Sequence, residues 1–182
     1  MKVIPTEIPE VLLLEPKVHG DHRGFFIESF NQQVFADKTG LVRTFVQDNH
    51  SRSKGGILRG LHYQIQATQG KLLRVIQGEI FDVAVDLRRS SATFGQWVGT
   101  VLSAENHRQF WVPEGFAHGF YVMSESADVL YKTTDYYAPE HERTVLWDDP
   151  DLAIAWPLAG QVPVLSAKDQ QGTRLAEAEV FA

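Results

Sequence analysis

The 182-residue chain contains no cysteine, no long apolar run and no excess of basic charge, and each lack narrows what it can be. Without thiols there is no disulfide framework, no zinc–thiolate or iron–sulfur centre and no cysteine nucleophile. The apolar run nearest the N-terminus, residues 11–14, is bounded by Glu10 and Glu15 and is too short for a signal-peptide core or a membrane span. No other stretch approaches the ~18 apolar residues of a spanning helix. Seventeen Lys and Arg against 23 Asp and Glu give a net charge of −6, the wrong sign for a general nucleic-acid binder. The reading is a cytoplasmic protein without a nucleic-acid or membrane partner. A hydrophobic content of 43% is enough for a real core, and the length suits one domain over 1–182.

What is present is a succession of short β-branched and aromatic runs punctuated by Gly, Pro and Asp. Residues 24–30 (GFFIESF), 44–47 (TFVQ), 57–64 (ILRGLHYQ), 72–76 (LLRVI), 80–87 (IFDVAVDL), 97–102 (WVGTVL), 110–112, 120–123 and 129–137 (VLYKTTDYY) read as strands. Gln77-Gly78-Glu79 reads as a hairpin turn with Gly78 at positive φ. Helical patterning is confined to 31–38, with Asn31 as N-cap, and to a short turn capped by Ser166 that carries Lys168 and Asp169. Many short strands with few helices indicate a β-sandwich or barrel whose interior can hold one small ligand.

Several chemistries fail on spacing. The segment 54–60 (KGGILRG) is neither G-x-G-x-x-G nor a strand-to-helix turn, and Gly70-Lys71 lacks the upstream glycine of a P-loop. The metal pattern of small barrels would begin at His62, but position 64 is Gln and the next candidate is Lys71, whose ammonium repels a cation. The H-E-x-x-H motif is absent as well, so no metal is expected.

A different set remains. In Gly60-Leu61-His62-Tyr63-Gln64, strand alternation puts Leu61 and Tyr63 on one face and His62 and Gln64 on the other. Lys71 opens the next strand, where a buried ammonium needs an anionic partner or ligand. Gln47 and Asn49 share a face two residues apart, suited to a polyhydroxylated or carbonyl-bearing ligand, while Asp48 between them points away. Arg59 and Arg23 are of the type that grips phosphate oxygens, with Glu28 beyond Arg23. Tyr131 and Asp169 complete the set. Each alone has an ordinary structural reading; their conjunction does not. Residues 43–74 hold six basic side chains against one acid, so the basic excess lies on the segment that carries His62.

These residues sit in longer motifs: GDHRGFFIESFN (20–31), FVQDNHS (45–51), LRGLHYQ (58–64), QGKLLRV (69–75), GEIFDVAVDLR (78–88), ATFGQW (92–97), LSAENHRQFWVPEGFAHGF (102–120), LYKTTDYYAPEHE (130–142) and LSAKD (165–169). In this order and spacing the chain resembles the dTDP-4-dehydrorhamnose 3,5-epimerase family, cupin-type sugar-nucleotide isomerases. The resemblance implies a mainly β, cupin-like jelly-roll barrel with a few short peripheral helices. It implies epimerisation of dTDP-4-dehydro-6-deoxy-D-glucose at C3 and C5 for dTDP-L-rhamnose synthesis, with no cofactor. It makes His62 the base, Asp169 its orienting carboxylate, Lys71 the enolate stabiliser and Tyr131 the acid on the opposite face. Substrate contacts fall to Arg23, Glu28, Gln47, Asn49, Arg59, Lys71, His118, Glu142 and Lys168, with Tyr137 a candidate for stacking on thymine. It also implies a homodimer in which N-terminal residues complete the neighbouring site. One departure from the family pattern is Arg143, directly after Glu142, where a small residue is more usual.

The residues also support this chemistry directly. A C4 ketone acidifies C3–H and C5–H alike, imidazole is a suitable base near neutrality, and an ammonium stabilises the developing enolate. The alternatives are a mono-epimerase acting at C3 or C5 alone and a non-catalytic sugar-binding cupin, though mere binding requires no acid–base set.

Overall fold

The computed structural model describes residues 1–182. Thirteen strands account for most of the ordered backbone: β1 (Lys2–Pro5), β2 (Leu12–Glu15), β3 (Val18–Asp21), β4 (Gly24–Ile27), β5 (Gln47–Lys54), β6 (Leu58–Gln64), β7 (Lys71–Gln77), β8 (Glu79–Asp86), β9 (Trp97–Ser103), β10 (Gln109–Val112), β11 (Phe116–Val122), β12 (Ser126–Thr133) and β13 (Glu142–Thr144). Two helices, α1 (Gln32–Thr39) and α2 (Ala167–Gln170), and a 3-10 turn at Pro139–His141 lie outside them. None is long and apolar enough to cross a membrane.

The strands form a six-stranded sheet in the order β1-β2-β10-β7-β12-β5 and a five-stranded sheet in the order β13-β6-β11-β8-β9, with β3 and β4 as a separate hairpin. Every pairing between these strands is antiparallel. This is a cupin-like jelly roll with few helices, as the resemblance implies.

Alternation along the strands explains how two sheets make three cores. Leu73, Val75, Phe110 and Val129 of the large sheet meet Ile80, Ala84, Val98 and Phe120 of the small one between the sheets. The same inward faces carry His62, Lys71, Asp82, His118 and Tyr131. The outward residues Leu61, Tyr63, Val83 and Val85 of the small sheet are covered by the C-terminal segment through Leu152, Leu175 and Ala178. On the outer face of the large sheet, Leu12, Leu14, Leu72 and Trp111 pack against Phe35 of α1. Phe35 meets Trp111 and Phe45 edge-on, and truncating so large a buried ring costs about 3–5 kcal/mol.

The helix expected at 31–38 forms one residue later, with the Asn31 carboxamide oxygen accepting from the N–H groups of Gln33 and Val34. Gly40 ends it in the left-handed conformation. Gly78 has φ +75° in the β7–β8 turn, as expected. Other boundaries moved. The strand expected at 44–47 lies instead at Gln47–Lys54, because Phe45 packs as coil against Phe30 and Trp111. The strand read over 129–137 spans Ser126–Thr133 and is followed by exposed Tyr136 and Tyr137. The strands β1, β2, β3 and β13 were not foreseen at all.

Candidate active site

Strand β6 places the base. Its alternation turns Leu61 and Tyr63 outward into the C-terminal core and His62 and Gln64 toward the opposing sheet. The approach to His62 depends on glycine: a Cβ on Gly60 would lie 2.5 Å from the Cα of Gly119, and φ is +123°. A larger residue there would drive β6 and β11 apart beside the site.

Between the sheets is a cavity of about 260 Å³. One wall comes from the small sheet: Arg59, His62 and Gln64 of β6, His118 of β11 and Glu142 of β13. The other comes from the large sheet: Ser51 of β5, Lys71 of β7 and Tyr131 of β12. Lys168 of α2 and Tyr137 close the rim.

His62 is tethered from behind. Its Nε2 lies 2.5 Å from Oδ1 of Asp169, a buried carboxylate that also accepts from the Ser166 hydroxyl at 2.7 Å and the Gly60 N–H at 3.4 Å. Burial would raise the Asp169 pKa, but these donors outweigh it and hold it at about 2. An ionised carboxylate only accepts, so Nε2 carries the proton and Nδ1 is the basic nitrogen. Burial lowers the His62 pKa, and the opposing pull of Asp169 does not fully reverse it. The imidazole is therefore a free base at neutral pH.

Lys71 is buried, which brings its pKa down to about 8 against the attraction of Asp82. The only hydrogen bond of its ammonium is to the carbonyl of His62, at 3.4 Å. Burial raises the pKa of Tyr131, with Arg59 pulling the other way, so the phenol stays protonated. Burial would also raise the pKa of Glu142, but hydrogen bonds from Lys168 at 2.7 Å and Tyr137 at 2.9 Å hold it low. The neighbouring Arg143 pairs with Glu179 at 2.9 Å and donates to the backbone carbonyls of Glu142 and Glu140, not to the Glu142 carboxylate, so the departure from the family pattern leaves that carboxylate in place.

The remaining expected residues divide in two. Gln47 and Asn49 lie on the inward side of β5 but do not themselves border the cavity, which Ser51 of the same strand does; Asn49 is in register with Tyr131 and accepts from the Gln47 amide at 3.0 Å. Asp48 points the other way, to Lys132 at 3.0 Å. Arg23 and Glu28 stand apart. Arg23 lies on the β3–β4 hairpin, paired with Asp21 at 2.5 Å, and Glu28 just beyond accepts from Asn31 at 3.2 Å. Neither borders the cavity of its own chain.

Three polar groups at or beside the cavity were missed in the sequence. Asp82, wholly buried on β8, pairs with His118 Nε2 at 2.8 Å, making a second imidazole–carboxylate pair beside the first. His118 and His62 are register partners on adjacent strands. No local signal marks Asp82, because its partner arrives from a strand 36 residues on. Ser51 borders the cavity and Ser53 holds the Arg59 guanidinium at 2.8 Å. These two were findable, since they continue the alternation of Gln47 and Asn49.

Residues 5–177 match the family model described as dTDP-4-dehydrorhamnose 3,5-epimerase. The chain belongs to that family. It is 62% identical over 181 residues to the dTDP-4-dehydrorhamnose 3,5-epimerase of Pseudomonas aeruginosa, covering 100% of this chain and 99% of that one. A crystal structure of the Legionella pneumophila 3,5-epimerase in complex with dTDP-4-keto-L-rhamnose superposes with a TM-score of 0.95 at 57% identity, covering 98% and 94% of the two chains. The 3'-monoepimerase of Streptomyces bikiniensis is more distant, with a TM-score of 0.89 at 35% identity over 97% and 88%.

Proposed function

We propose that the protein, an isomerase, inverts C3 and C5 of dTDP-4-dehydro-6-deoxy-D-glucose to give dTDP-4-dehydro-L-rhamnose, using His62 as the base for both carbons. The observation that carries the mechanism is the arrangement of the walls. The oriented imidazole sits on the small sheet, and the protonated phenol of Tyr131 sits on the large one, with the cavity between.

The C4 ketone makes C3–H and C5–H acidic. His62 Nδ1 removes one of these protons, and the electron pair passes to the C4 oxygen as an enolate. The Lys71 ammonium is buried in the same cavity and stabilises that oxygen where water does so poorly. The Tyr131 phenol then delivers a proton to the other face of the carbon, which inverts the centre. The imidazolium then releases its proton to solvent and the phenolate takes one back, which restores both groups; repetition at the second α-carbon completes the reaction, which is redox-neutral and needs no cofactor. Asp169 keeps Nε2 protonated and stabilises the imidazolium that forms.

Arg59 and Lys168 supply positive charge at the rim for the diphosphate, with Gln47, Asn49, His118 and Glu142 as hydrogen-bonding partners and Tyr137 as a surface for the base. Arg23 and Glu28 fit this scheme if the working unit is a homodimer and their hairpin reaches a neighbouring copy. In support, the hairpin is exposed along its length, with Phe25 61% and Phe26 70% accessible. Two adjacent open rings form an apolar patch of the kind that marks an interaction surface. A mono-epimerase could use the same base and enolate stabiliser; the higher identity to 3,5-epimerases favours double inversion. Solvent deuterium in the product tests it: label at C3 and C5 supports double inversion, and label at one carbon alone overturns it.

A further inference from the structure

Asp169 reaches His62 on a helix of only four residues, too short to hold its own orientation by internal hydrogen bonding. Two devices fix it. The segment before α2 is tied to the start of β6: the N–H of Leu58 donates to the Val164 carbonyl at 3.0 Å, and the N–H of Val164 donates to the Gly56 carbonyl at 2.8 Å. The helix therefore rests on the strand that carries His62. The second device is Ser166. Its Oγ accepts from the N–H of Asp169 at 3.2 Å, as an N-cap does, and donates to Oδ2 of the same residue at 2.7 Å.

This pair of hydrogen bonds to a single residue is more than helix capping requires. A carboxylate on a short helix can rotate about χ1 and χ2, and only one rotamer presents Oδ1 to His62. The Gly60 N–H touches Oδ1, but at 3.4 Å it is a weak restraint. Oδ2 has Ser166 as its sole hydrogen-bond partner. We propose that Ser166 is a positioning residue for the reaction: its hydroxyl locks the Asp169 carboxylate, and through it the imidazole of His62. The proposal rests on the assignment of His62 and Asp169 above.

Lys168, on the same helix, separates this role from simple support of α2. Its ammonium holds Glu142 at the rim, on the substrate-binding side. Loss of helix structure would displace Lys168 and raise KM, whereas loss of the Asp169 rotamer alone lowers kcat.

The test is steady-state kinetics on Ser166→Ala, Ser166→Thr, Asp169→Ala and the Ser166→Ala/Asp169→Ala double variant of the full chain. Expected are a fall of about 10-fold in kcat for Ser166→Ala with KM within about 2-fold, and recovery in Ser166→Thr, which keeps the hydroxyl. In the Asp169→Ala background the serine has nothing to hold, so its removal should cost nothing further. An unchanged kcat in Ser166→Ala, the same fold loss in both backgrounds, a rise in KM with kcat intact, or no recovery by threonine would each overturn the proposal. Wild-type activity in Asp169→Ala would instead overturn the reading on which it rests.

Discussion

His62 and Asp169 stand 107 residues apart in the chain and 2.5 Å apart in space. Strand β6 supplies the imidazole, and a four-residue helix strapped to the start of that strand supplies the carboxylate. The pair assigns one proton to Nε2 and leaves Nδ1 free to take another. Opposite them, on the other sheet, the raised pKa of Tyr131 keeps its proton available.

Tyr131→Phe removes the acid and leaves the base. His62 can still deprotonate the sugar and return a proton to the face it came from. This variant should therefore exchange solvent deuterium into recovered substrate while forming product at a rate reduced by about 10²-fold or more. NMR of the recovered nucleotide sugar checks this; full inversion activity would remove Tyr131 from its role.

The pH profile follows from the directions of the pKa shifts. His62 must be neutral, and burial lowers its pKa below 6.5, so kcat/KM should rise with pH through a value under 6.5. Lys71 must be charged, and its pKa is about 8, so activity should fall as pH passes that value. Because kcat/KM reports the free enzyme, both limbs belong to the unliganded cavity. Lys71→Gln should be slow and should lack the alkaline limb.

Lys71 should also cost stability. Its folded pKa lies below the unfolded value of 10.5, so the unfolded chain holds the proton more tightly. Below pH 8 the ammonium is charged in both states, and the burial penalty is fully present; between 8 and 10.5 the folded state sheds the proton and the penalty fades. Lys71→Met should thus be more stable by about 1–3 kcal/mol at pH 7, with the gain shrinking above pH 8, while activity collapses. Chemical denaturation at the two pH values reads both effects.

Arg23→Ala and His62→Ala should each be inactive alone. If the β3–β4 hairpin serves a neighbouring copy, mixing the two under conditions that exchange subunits restores activity, because one site in the mixed dimer has an intact His62 and an intact Arg23. Activity near one quarter of wild type is the statistical expectation for equal mixing of a dimer. A mixture no more active than its components would place Arg23 in its own chain's site or outside function.

Much of the site was legible because its chemistry is local to single strands. Alternation about His62 and about Asp48 correctly separated inward from outward side chains, and the Ser166 cap was visible as a serine ahead of Lys168 and Asp169. Other features had no local signature. In β2, Leu12 and Leu14 pack under α1 while Leu13 faces the barrel core, so both faces are buried and no alternation appears. The polar edge strand β5 carries hydrophilic residues on both sides, toward the cavity and toward solvent, and hides the period that marks a strand. Asp82 looks like any polar residue in IFDVAVDL until the β8–β11 pairing brings His118 to it.

The central claim is that one imidazole serves both carbons. It is tested by incubating His62→Ala with dTDP-4-dehydro-6-deoxy-D-glucose in deuterated water and reading the label at C3 and C5. The account predicts deuterium at both positions with the wild-type protein and at neither with the variant, on the timescale of wild-type turnover. Deuterium entering either carbon of the variant at the wild-type rate would contradict it.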